Sequence, residues 1–223
     1  MLRFKVISRY WTGKNFLVFI LISILSYIIY ANSLNNSFHF DDQHYVVENL
    51  YIRSIRNIPA FFQSPRYSSS EKPFTSHYRP LVVSSYAVNY AMGGLDPLGY
   101  HLVSLGFHIG SAFLVFLIMQ AMLWSTPVYF IPLSAALIFA VHPFKSEVVN
   151  YITARSSVMC AFFYLLAFYF WVKFRENEQV AWGFIPHNKP TIKVGATSSL
   201  SLCSAPSRGS PQAFPATDAD FLR

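Results

Sequence analysis

Residues 16–31 read FLVFILISILSYIIYA, a run without one charged side chain. A stretch of this kind is close to the ~17–25 apolar helical residues needed to carry a chain across a bilayer core. Three more apolar stretches follow, at residues 102–124, 127–141 and 157–174; the third is short, with Pro132 near its start, and the fourth is closed by Lys173 and Arg175. Only 12% of the residues are charged and 53% are hydrophobic, whereas a soluble domain carries about 25% charge. The pattern predicts an all-α polytopic membrane protein with about four transmembrane helices. Its 22 Phe and 14 Tyr exclude disorder over the whole chain. Cys160 and Cys203 are too few for a disulfide framework or a cysteine-rich zinc site.

Charge orients the spans. The arm at residues 1–15 carries Arg3, Lys5, Arg9 and Lys14 and no acid, which places it in the cytosol. Four crossings return residues 175–223 to that side and leave loops 32–101 and 142–156 on the far one. On the cytosolic side, counting Lys173 with the tail, basic residues outnumber acids ten to four; on the far side the ratio is seven to six. The basic balance is therefore topogenic, and nucleic acid is not expected as a partner. Ala31-Asn32-Ser33 would suit a cleaved secretory signal, but the basic arm and the apolar run are both long for one. An uncleaved anchor is the preferred reading.

The loop at residues 32–101 is too long for a connector. It opens on Asn35-Asn36-Ser37, a glycosylation sequon at Asn35, and continues to the adjacent acids Asp41 and Asp42. The segment His39-Phe40-Asp41-Asp42-Gln43-His44 contains metal-ligand residue types at a spacing that fits no metal motif. Pro80 to Met92 reads as a helix stopped by Gly93-Gly94, too short to span and suited to the membrane surface. Asp96-Pro97 reads as the start of the second span. His101 and His108 lie on one face of that span, two turns apart, and are expected to hydrogen-bond rather than bind metal. His142, Glu147 and Arg155 crowd the short loop at residues 142–156, where polar groups beside a bilayer exit are costly.

Four landmarks occur in one order: Phe40-Asp41-Asp42 with Val46 and Asn49; Tyr78-Arg79-Pro80-Leu81; Gly94-Leu95-Asp96-Pro97-Leu98-Gly99-Tyr100-His101-Leu102 with His108; and Phe139-Ala140-Val141-His142-Pro143 with Glu147 and Arg155. Together, over about residues 10–175, they resemble the N-terminal part of the transmembrane-and-tetratricopeptide-repeat protein O-mannosyltransferases, enzymes of the type C membrane glycosyltransferase fold. The resemblance implies transfer of mannose from dolichyl-phosphate mannose to Ser or Thr of luminal proteins, cadherins among them, at the endoplasmic-reticulum membrane. It implies no cofactor and no metal. The catalytic acid would be Asp41 or Asp42, in the first luminal loop. Such an acid could take the proton of the attacking hydroxyl. Arg79 and Arg155 would meet the departing phosphate. His101, His142 and Glu147 would order the loops or touch the sugar.

The tail departs from that family. After Trp182, proline and serine replace the apolar pattern, no repeat of about 34 residues appears, and disorder is expected at residues 183–223. A truncated product is the expectation for such a chain. A non-catalytic membrane partner or regulator of the same descent, and a small transporter, are the competing readings.

Overall fold

The structure is a computed structural model that describes residues 13–70, 77–123 and 129–181, with side chains to residue 176. The expected cytosolic arm as far as residue 12, the first two residues of the third stretch and the tail from residue 182 lie outside these. All regular structure among the described residues is helical.

The charge-free run forms α1 (Gly13–Tyr30), which tightens into a 3-10 turn at Ala31–Asn35. The turn is braced by the Ser33 hydroxyl on the Tyr30 carbonyl (2.6 Å) and stops where Asn36 becomes extended. The long loop then folds as short turns: a π turn at Gln43–Val47, 3-10 turns at Leu50–Arg53, Ile55–Asn57 and Pro65–Tyr67, and the four-residue α2 (Ile58–Phe61). Next comes α3 (Pro80–Gly93), opened by its proline and stopped by Gly94 at φ +63°, a backbone region that side chains disfavour. The sequence suggested that this helix lies along the membrane surface. In the fold, Val82, Val83, Tyr86 and Ala87 are buried in the protein, while Leu81 and Val88 remain exposed.

The second span is α4 (Pro97–Met122), and its start matches the sequence reading: the Asp96 carboxylate accepts the Leu98 N–H (3.1 Å) and Pro97 follows. At 1.5 Å per residue its 26 residues extend about 39 Å. α5 (Phe130–Val141) occupies the third stretch; its 12 residues extend about 18 Å, short of a ~30 Å hydrocarbon core. α6 (Ser146–Asn150) is a single turn and a half, and α7 (Arg155–Ala181) is the fourth stretch. Among the described residues, three helical runs are long and apolar enough to cross a membrane: Gly13–Asn35, Pro97–Met122 and Arg155–Glu176.

The central helix is α4, which packs against α1, α5 and α7. One apolar cluster joins Ile22 of α1 to Ala112, Phe113 and Phe116 of α4 and Ala136 and Ala140 of α5. Gly110 lets α7 approach, since a Cβ there would lie 2.8 Å from the Phe162 ring. Several polar groups inside the bundle are paired with one another, as a water-poor environment favours. Asn15 and Gln120 exchange amide hydrogen bonds of 3.1 and 3.3 Å. Tyr30 Oη and His108 Nε2 both donate to the Ala140 carbonyl (3.3 and 3.0 Å), one of the end carbonyls that α5 cannot satisfy itself.

Candidate functional site

A tight turn at residues 39–42 carries the acid pair, and the fold treats its two members differently. The Asp42 N–H reaches the His39 carbonyl (3.0 Å), closing the turn, and the His39 N–H returns to Asp42 Oδ2 (3.2 Å). Asp42 Oδ1 accepts the Thr153 N–H (2.8 Å) and also the Thr153 hydroxyl. With three donors on its two oxygens and 1% of its surface exposed, Asp42 is a fixed interior side chain. Asp41 is exposed. Its backbone N–H donates to Tyr151 Oη (3.0 Å), which leaves the carboxylate facing outward from a held backbone. Burial raises the Tyr151 phenol, so its oxygen remains a neutral acceptor at ordinary pH.

Immediately before the pair, the turn carries Phe40 at φ +47°. A bulky residue in that region costs on the order of 1–3 kcal/mol and persists only where its surroundings over-determine it. The crossed bonds of His39, Asp41 and Asp42 supply that constraint. Downstream, the Asp41 carbonyl accepts the N–H groups of His44 and Tyr45 (3.1 and 3.0 Å) and starts the π turn. Asn49, fully buried, pins its end: Oδ1 accepts the Tyr51 N–H (3.0 Å) and Nδ2 donates to the Tyr67 carbonyl (3.2 Å). Glu48 accepts from Gln43 Nε2 (2.9 Å), a bond that holds its carboxyl below the usual range.

The two arginines also separate. Arg79, half-buried at the start of α3, gives one hydrogen bond to Ser156 Oγ (3.2 Å) among the described residues, and its other N–H groups retain capacity for a ligand. Arg155 has no exposed surface. Its Nε donates to Ser104 Oγ (3.3 Å), one terminal nitrogen to Ser85 Oγ and Asn89 Oδ1 (2.9 and 2.8 Å), and the other to the Tyr100 carbonyl (2.8 Å). The guanidinium also lies over the rings of Tyr86 (4.7 Å) and Tyr100 (5.6 Å). Nearly all its donors are thus used on α3 and α4, and it ties α7 to both helices rather than facing a surface where phosphate arrives. Tyr86, whose phenol burial pushes far up, donates to the Ile152 carbonyl (3.1 Å) and holds the segment that presents Thr153.

His101 Nε2 lies 3.2 Å from the Asn36 carbonyl. A carbonyl only accepts, so the proton sits on Nε2 and the buried Nδ1 is an acceptor. The contact ties α4 to the strand of loop that leads into the acid turn. His142 and Glu147 are exposed; His142 Nδ1 accepts the Phe144 N–H (3.2 Å), a local cap. Asn35 is exposed at the last residue of the first 3-10 turn. The acid turn, the Tyr151–Thr153 segment and the Arg155 cage are thus brought together by hydrogen bonds; Glu147 joins them through its backbone carbonyl, which accepts the Tyr151 N–H (3.0 Å), and the side chains of His142 and Glu147 make none of these bonds.

Tyr151 and Thr153 were not legible as site residues. They sit in a loop with no motif of their own, over a hundred positions from the acids they hold. The cage had a faint trace: Ser85 and Asn89 lie one turn apart on α3, and Ser104 lies between His101 and His108 on one face of α4.

Comparison with characterised sequences gives consistent relatives. Protein O-mannosyl-transferase Tmtc1 of Drosophila melanogaster is 32% identical over 163 residues, covering 72% of this chain and 18% of the relative. Human protein O-mannosyl-transferase TMTC4 is 32% identical over 174 residues, with 72% and 24% covered. The Caenorhabditis elegans protein O-mannosyl-transferase F38B6.6 is 29% identical over 165 residues, with 73% and 24% covered. In sequence, the chain belongs to the TMTC family, as its N-terminal region. It is a multi-pass membrane protein. The stretch matched is about a fifth to a quarter of these TMTC relatives' length, between 18% and 24%. No protein-family model and no solved structure matches the chain.

Proposed function

We propose that this chain carries the acid-bearing part of a protein O-mannosyltransferase site. Mannose would pass from dolichyl-phosphate mannose to Ser or Thr of secretory-pathway proteins such as cadherins, in the endoplasmic-reticulum membrane, with the N-terminus cytosolic. The observation that carries the reading is the asymmetry of the acid pair: Asp42 is buried and saturated, Asp41 exposed and free to act.

Asp41 is the base. As the acceptor oxygen bonds to the anomeric carbon, the bond from that carbon to the phosphate oxygen breaks. The hydroxyl proton goes to the Asp41 carboxylate, and dolichyl phosphate leaves with the electron pair. Asp42 fixes the turn through Thr153 and His39. Arg79, with donors to spare, meets the phosphate as its charge grows. Arg155 keeps the Thr153 segment in place from the interior, and His101 steadies the approach to the turn through Asn36.

The test is mannosyl transfer in microsomes by Asp41→Asn and Asp42→Asn. General-base catalysis contributes about 10²–10⁴-fold, so Asp41→Asn should lose that much while the folded protein accumulates normally. Asp42→Asn should lose folded protein as well. A wild-type rate in Asp41→Asn would overturn the assignment. Purified chain that never turns over, yet raises transfer by a longer relative, would assign the non-catalytic partner role instead.

A further inference from the structure

Phe40 is the one described residue other than glycine with positive φ, and the residue is 88% exposed. The bonds that constrain it are all made by its neighbours' backbone and carboxylate groups or by its own carbonyl, which accepts the Gln43 N–H (3.1 Å). The ring itself takes part in none of them. A turn position that favours Gly, Asn or Asp thus holds a large apolar side chain away from the protein, immediately before Asp41.

We propose that Phe40 is an acceptor-binding residue whose ring packs against the polypeptide that offers its hydroxyl to Asp41. This rests on the reading of Asp41 as base. A base must stand about 2.6–3.2 Å from the oxygen it deprotonates. In a single displacement the attacking oxygen and the leaving group occupy opposite faces of the anomeric carbon. Adjacent residues have Cα atoms about 3.8 Å apart, which keeps the exposed Phe40 ring within reach of a polypeptide on the acceptor's side. The departing phosphate and its prenyl chain lie on the other. An extended peptide around a Ser or Thr presents flanking side chains and Cα–H groups to such a ring, and their burial is the gain that offsets the strained turn.

The direct test places a photoreactive benzophenone side chain at position 40 of the full chain in microsomes. The probes are a biotinylated Thr-containing peptide and dolichyl-phosphate mannose. A peptide adduct that excess unlabelled peptide abolishes is expected. Adducts to lipid alone, or none to peptide, overturn the proposal. In the kinetic arm, Phe40→Gly should raise the acceptor KM about tenfold, the scale of losing one buried aromatic contact, with donor KM and kcat within about twofold. Because glycine also relieves the backbone, its thermal stability should not fall. Phe40→Trp should restore the acceptor KM. A rise in donor KM instead would overturn the assignment. Transfer without a peptide adduct breaks the Phe40 assignment alone. An adduct without any transfer breaks the mannosyl-transfer reading and keeps Phe40 as a peptide contact.

Discussion

The two ends of α4 are built by opposite rules. Towards Pro97, the buried positions besides Leu105 are Tyr100, His101, Ser104 and His108, and each of these four side chains hydrogen-bonds to a specific group outside α4. Towards Met122, past Ser111, whose hydroxyl bonds back to the Phe107 carbonyl of its own helix, they are Ala112, Phe113, Leu114, Phe116, Ile118 and Ala121, packed by shape and size. The apolar end tolerates exchange of similar volumes, because dispersion and burial have little directional demand. The polar end does not, because each unpaired buried donor or acceptor carries its full desolvation cost. The acid turn is fastened to the polar end through Thr153, Tyr151 and the Arg155 cage, so the turn that carries the acid pair is held by the part of the molecule least free to vary.

The sharpest way to break this contrast is at Arg155. Replacement by Met keeps much of the volume and removes every hydrogen bond, stranding Ser85, Asn89, Ser104 and the Tyr100 carbonyl. A loss of at least about 3 kcal/mol is expected in reversible unfolding in detergent. Arg155→Lys should recover only part of it, since an ammonium cannot reproduce the fork. An unchanged midpoint for Arg155→Met would show that the polar end is as permissive as the apolar one. Thr153→Val is next: it removes the hydroxyl bond to Asp42 and keeps the backbone one. About 1.5–3 kcal/mol should be lost, with Thr153→Ser near wild type. Amide exchange at Thr153 and His39 checks whether the turn has loosened.

Smaller effects sharpen the comparison from the other side. Asn15 and Gln120 form a polar pair in the apolar half of the bundle, so a double-mutant cycle to Ala should give a coupling of about 0.6 kcal/mol. A coupling several times larger would mean that the apolar half also relies on specific polar contacts. Glu48 gives the smallest effect, readable only in pH dependence. Gln43 holds its carboxyl below the ordinary glutamate value of 4.5, so the folded state favours the ionised form. Its stabilising contribution is complete above that pH and disappears as pH falls below it through the folded value. Glu48→Gln should flatten this acid limb of the stability curve, and an unaltered limb would remove Glu48 from the account of the loop.

Much of the helical order could be read from residue types. Asp96 before Pro97 caps α4, and Pro80 with Gly94 brackets α3, because capping and backbone restriction act within a few residues. The third apolar stretch is harder: α5 is a 12-residue helix, and hydropathy alone does not say how deep so short an element sits. The acid pair could be found as a pair but not divided. Asp41 and Asp42 have the same chemistry and adjacent positions; their roles separate only when the turn points one carboxylate at Thr153 and the other outward. Arg155 fits the same logic. A lone arginine at a span end resembles a phosphate ligand, a topogenic charge or an interior tie until its partners are in place.

By itself, then, the sequence determined the solvent of this protein, its helical character, its family and the short stretch where acids stand outside a span. Those properties depend on composition and on spacing within a few turns. Tertiary structure alone decided which acid is spent on architecture, which arginine is interior, and that Phe40 stands strained and uncovered beside Asp41. The long-range contacts responsible join residues 51 to 111 positions apart. Hydrogen-bond energy depends on a few tenths of an ångström and on direction, and neither is contained in a local pattern of residues.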